Sequence, residues 1–172
     1  FVAPSIDLGG LMVFAGDKAA MEVLRAELPP ITRGRATYPM VLAGHSAFHS
    51  PLLAPMAEAA QSALADITFR APQVPLIDGG GDSWRPIHAD PVGLRAYTLQ
   101  AQITTPYNFA ASLAVAVQEY APDRILLLGP GHSLGGAIGQ LLARLGWRGI
   151  VDKAGFTAQQ RGDQPILWTT DD

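Results

Sequence analysis

The sequence predicts an α/β fold, and three observations lead there. Short apolar runs, clearest at residues 11–15 and 125–128, read as strands. Longer stretches carry apolar residues at helical spacing, as Ala20, Met21, Leu24 and Leu28 do. Proline and glycine clusters separate the two kinds of segment: Pro29-Pro30, Gly79-Gly80-Gly81, Gly135-Gly136.

In order, residues 11–15 are the first strand. Asp17 follows as the N-cap of a helix, because its short carboxylate can accept a first-turn N–H. Pro29-Pro30 stops that helix. Residues 37–42 read as a second strand, so residues 1–44 form a small strand–helix–strand unit. The second part, residues 45–172, starts with Ser50-Pro51, a cap followed by proline at the first helical position. Leu52, Leu53, Met56, Ala60, Ala63 and Leu64 supply that helix's stripe. Residues 73–77 are a short strand whose Pro75 suits an edge, and residues 78–82 are a turn. Thr105-Pro106 repeats the cap-and-proline signal and opens a helix buried through Phe109, Leu113 and Val117. Residues 125–128 are apolar throughout, the pattern of a strand covered on both faces. Gly135-Gly136 leads into a helix with Ile138, Leu141, Leu142 and Leu145 inward. From Asp152 the periodicity is weak.

Composition narrows the function. The 172 residues suffice for a sizeable core, and 48% are hydrophobic, which argues for a folded chain. Only 16% are charged, so apolar surface is expected to lie exposed or covered by something else. A net charge of −3 offers no basic face for nucleic acid. No run is long enough to span a bilayer, and no signal peptide is visible; a cytoplasmic location is expected. With no cysteine there is no disulfide, thiolate nucleophile or thiolate metal site. No metal site is expected. The start at Phe1 rather than Met suggests a processed or partial piece of a longer product.

Gly131-His132-Ser133-Leu134-Gly135 fits the G-x-S-x-G elbow that presents a nucleophilic serine between strand and helix. Two features weigh against it. Gly129-Pro130 separates the strand from the first glycine of the motif, and none of the four histidines follows Ser133 to serve as its base. The plain reading is a glycine-rich turn ahead of a helix, while a serine hydrolase using Ser133 with His49 or His132 stays open as an alternative. Gly79-Gly80-Gly81 lacks the lysine and the serine or threonine of a phosphate-binding loop.

His49 sits in Ala47-Phe48-His49-Ser50-Pro51-Leu52-Leu53, at the start of a capped helix. This stretch resembles the active-site histidine motif of malonyl-CoA:acyl-carrier-protein transacylases and of polyketide and fatty-acid synthase acyltransferase domains. Four further pieces are similar in order and spacing: residues 10–16, residues 67–76, Gln102-Ile103-Thr104-Thr105-Pro106 with Phe109, and Leu128-Gly129-Pro130-Gly131 with Leu134. The likeness spans residues 10–145.

The resemblance implies the back part of an acyltransferase fold. Residues 1–44 would be a fragment of its ferredoxin-like small subdomain, and residues 45–172 the C-terminal part of its α/β-hydrolase-like large subdomain. It implies transfer of malonyl from CoA, as substrate, to the phosphopantetheine thiol of an acyl carrier protein, with no cofactor bound to the chain itself. His49 would be the base, Gln102 would orient its ring through a backbone carbonyl, and Phe48 would crowd an α-methyl branch on the acyl group. His45 receives no role, and Arg148 and Lys153 are too few to mark a carrier-protein surface. The family's nucleophile serine, oxyanion glutamine and carboxylate-binding arginine have no counterpart in residues 1–44, so an N-terminal half is expected to supply them. A non-catalytic carrier-binding module is a further alternative.

Overall fold

The computed structural model describes residues 1–170 apart from Arg35 and residues 130–132. In chain order its first elements are β1 (Val2–Asp7), β2 (Met12–Gly16), α1 (Lys18–Glu27), β3 (Ile31–Arg33), β4 (Ala36–Tyr38), α2 (Ala54–Ala63), β5 (Leu76–Ile77) and β6 (Ser83–Trp84). There follow α3 (Pro91–Ala96), α4 (Gln102–Thr104), β7 (Tyr107–Asn108), α5 (Phe109–Glu119), β8 (Ile125–Leu127), α6 (Gly135–Arg144), α7 (Lys153–Arg161) and β9 (Leu167–Thr169). The chain divides into two units, each assembled from separated stretches. One comprises Phe1–Ile6, Val13–Ala71 and Ala89–Tyr107; the other Asp7–Met12, Pro72–His88 and Asn108–Asp172.

The first unit is built on a sheet of order β2-β1-β7. Asp17 caps α1 as expected, accepting the Ala20 N–H at 2.9 Å. Leu28 turns extended before Pro29, ending α1. The strand expected over 37–42 stops at Tyr38, paired with Ile31, because Pro39 cannot donate to a ladder.

Two helix expectations need correction. Pro51–Leu53 is a 3₁₀ turn leading into α2, and its tighter winding shifts the phase of the stripe. Ala57 is therefore the buried residue of α2, while Met56 is half exposed. Thr105-Pro106 closes a helix rather than opening one: Thr105 is the extended C-cap of α4. The cap of α5 is Asn108, whose side-chain oxygen accepts the Ala111 N–H at 2.9 Å.

The second unit holds a core of Leu113 and Val117 from α5, Ile138, Leu141 and Leu142 from α6, and Ile150, Ile166 and Leu167. The helix faces expected for 109–117 and 138–142 are the faces that pack. Gly139 lets α7 come close, since a Cβ there would lie 2.8 Å from the Phe156 ring. β5 and β6 form a hairpin with Ile77 opposite Ser83. Its turn is filled by Asp78, which accepts the Gly80 and Asp82 N–H groups on Oδ1 and the Trp84 indole N–H on Oδ2. The glycines there thus close on their own aspartate and leave no open phosphate cradle.

β8 pairs with β9 in parallel, Ile125 opposite Leu167. Contrary to the doubly covered strand expected, Leu126 and Leu128 are exposed at 57% and 71%. The helix α7 carries no apolar stripe and the strand β9 rests on the brief run Ile166-Leu167-Trp168, so the weak periodicity after Asp152 points to neither. Asp152 caps α7 through the Gly155 N–H, and the Gln160 amide bonds the backbone of Ile166 and Leu167. Among the described residues no helix is long and apolar enough to cross a membrane.

Candidate active site

His49 lies in the first unit, on the loop between β4 and α2, and several neighbours fix that loop. Ser5, buried on β1, donates its hydroxyl to the Phe48 carbonyl at 2.8 Å. Ser50, also buried, was expected as a helix cap. Its hydroxyl instead turns back to the Ala47 carbonyl at 2.6 Å and locks the loop. The backbone of His49 takes the left-handed conformation, φ 58°, which His tolerates better than most side chains.

Two bonds tie His49 to the short helix α4. Its backbone N–H donates to the Ile103 carbonyl at 2.9 Å. Its ring Nδ1 lies 2.6 Å from the carbonyl oxygen of Gln102. A carbonyl only accepts, so in the neutral ring Nδ1 carries the proton and Nε2 keeps its lone pair. The Tyr107 ring flanks the imidazole at 5.4 Å between centroids, and the Phe48 ring lies at 6.4 Å on a tilted plane. His49 is half-buried and Phe48 exposed, so the free face of the ring is accessible.

The stretch that carries Gln102 is itself braced. A single wide π turn, Tyr97–Ala101, precedes α4, and such turns recur at functional sites. Arg95 of α3 donates to the Gln61 and Leu64 carbonyls at the end of α2, at 3.1 and 3.2 Å. Gln61 and Gln100 join side chains at 3.2 Å. The helix that follows His49 is thereby linked to the helix that precedes Gln102.

The structure thus brings together the three residues singled out in the sequence, His49, Gln102 and Phe48. Ser5, Ile103 and Tyr107 join them without a local signal in the sequence. His45 stays outside: it is exposed, with Nδ1 3.1 Å from the Ala43 carbonyl. In the other unit Ser133 is exposed in a turn ahead of α6, while Gly131 and His132 lie outside the described residues. Arg148 pairs with Asp123 at 3.2 Å, and Lys153 is exposed at the start of α7.

This arrangement sits in an α/β chain with the fold of acyltransferase domains. The solved structures it matches are specific ones. The malonyl-CoA:ACP transacylase of Synechocystis matches with a TM-score of 0.64 at 20% identity, over 81% of this chain and 44% of that one. An acyl carrier protein S-malonyltransferase from Vibrio cholerae matches at 0.63 and 25% identity, over 82% and 44%. The acyltransferase domain from the second module of the salinomycin polyketide synthase matches at 0.65 and 23% identity, over 99% and 35%. No protein-family model and no curated protein matches the chain. The chain spans less than half the length of these structures and shares their fold, as its sequence motifs led one to expect.

Proposed function

We propose that this chain is the histidine-bearing part of an S-malonyltransferase that moves malonyl from CoA to the phosphopantetheine thiol of an acyl carrier protein. The contact that carries this reading is His49 Nδ1 on the Gln102 carbonyl at 2.6 Å. It leaves Nε2 as a base whose other side is anchored, the pairing that activates a hydroxyl nucleophile. A serine from an N-terminal half gives its proton to Nε2 as it attacks the thioester carbonyl. The imidazolium, stabilised by the Gln102 carbonyl, returns that proton to the departing CoA sulfur. In the second half-reaction Nε2 takes the proton of the carrier thiol, which attacks the acyl-serine, and returns it to the serine oxygen. On this reading residues 1–44 contribute to the small subdomain and residues 45–172 to the large one.

Phe48, beside the imidazole, is assigned to acyl selection. Phe48→Ala is expected to move the ratio of kcat/KM for methylmalonyl over malonyl upward by roughly tenfold, the scale of one methyl in an apolar pocket. Competition between the two CoA thioesters measures it, and an unmoved ratio removes Phe48 from the pocket.

The reading is favoured over a hydrolase at Ser133 because β8 ends at Leu127, short of the first glycine of the Ser133 motif. In the full-length protein that contains this chain, holo acyl carrier protein incubated with malonyl-CoA should gain one malonyl group by intact mass. Absence of transfer, or fluorophosphonate labelling of Ser133, would overturn the proposal.

A further inference from the structure

Both carbonyls that hold His49 belong to a helix turn that has been left open. In an uninterrupted helix the Gln102 carbonyl accepts the N–H of residue 106 and the Ile103 carbonyl that of residue 107. Residue 106 is proline and has no N–H to give. Proline also drives the residue before it out of the helical region, and Thr105 is extended at φ −116° and ψ 152°. The helix is satisfied right up to that point. The Thr105 N–H reaches the Ala101 carbonyl at 2.9 Å, and the Thr105 hydroxyl reaches it at 2.7 Å. The next two carbonyls in the chain, 102 and 103, are the ones that take the ring and backbone donors of His49.

We propose that Pro106 is a positioning residue: by withholding an N–H it reserves the Gln102 carbonyl for His49 Nδ1 and so sets the tautomer of the ring. Pro106 acts through Gln102 and touches no reacting atom. Its consequence for catalysis rests on the transferase reading above, but the tautomer does not.

Nitrogen-edited NMR of the full chain, with the ring neutral, reads the tautomer directly. The unaltered chain should show the proton on Nδ1. Pro106→Ala restores an N–H that competes for the Gln102 carbonyl. The ratio of Nδ1–H to Nε2–H forms should then fall roughly threefold to tenfold, the range a single net hydrogen bond supports. Lactic acid at position 106 has the side chain of alanine but an ester oxygen in place of the N–H, and it should bring the ratio back. An alanine variant with the unaltered ratio, or a lactic-acid variant that behaves as alanine does, overturns the proposal. If the alanine variant does not fold, the lactic-acid variant decides: Nδ1–H supports the proposal and Nε2–H overturns it. Since no turnover is measured, failure of malonyl transfer in the parent protein leaves this result standing. A transferase whose tautomer ignores residue 106 sinks this inference alone.

Discussion

Alanine in place of His49 is expected, on the transferase reading proposed above, to slow malonyl transfer roughly 10²–10⁴-fold, the contribution of a positioned general base. Without the imidazole the serine of that proposal would be a weak nucleophile, and its departing sulfur would have no proton donor. The loss should fall mainly on kcat, because the group acts on a proton in flight rather than on bound substrate. Position 49 has φ 58°, a conformation that alanine holds less readily than asparagine does. His49→Asn therefore serves as the companion variant, removing the base while suiting the backbone. Both variants should lose transfer together, and His49→Asn should stay nearer the thermal midpoint of the parent than His49→Ala does. Undiminished transfer in His49→Asn would assign the chain to carrier binding without catalysis.

The largest effect on stability is expected at Leu142, which is fully buried at the centre of the core cluster. It lies on α6 among Leu113 and Val117 of α5 and the buried Ile150, Ile166 and Leu167. Leu142→Ala removes the buried methyl groups and leaves a cavity that packed neighbours fill only in part. The cost is about 2–5 kcal/mol, measured as a lowered urea midpoint at constant slope. Leu126→Ala is the control, since its side chain is 57% exposed and should change stability by no more than about 0.5 kcal/mol. Equal effects at the two positions would show that the cluster is not what holds this unit together.

The helix carrying Leu142 is legible in the sequence because Ile138, Leu141 and Leu142 repeat at helical spacing after a glycine pair. α7 is not, because no residue of it is fully buried and there is no stripe to read. β1 is hidden for a similar reason: its buried residue is Ser5, so the strand has no apolar signature. Ser50-Pro51 and Thr105-Pro106 look alike locally, yet one precedes a helix and the other follows one. Proline suits both places, since neither needs its missing N–H. In the site, Phe48 and His49 stand out by local pattern, and Gln102 only by resemblance. Ser5 reaches the Phe48 carbonyl across 43 residues of chain, and His49 reaches Gln102 across 53. Pairings at such distance depend on how the sheet and helices come together, which no short window of sequence contains.

The partner of the His49 ring is peptide backbone, and an atom of the backbone has no codon. Exchanging the side chain at position 102 swaps everything about that residue except the oxygen that matters. A survey that exchanges side chains at position 102 will pass over this member of the constellation, and inheritance reaches it only through the neighbours that shape the turn.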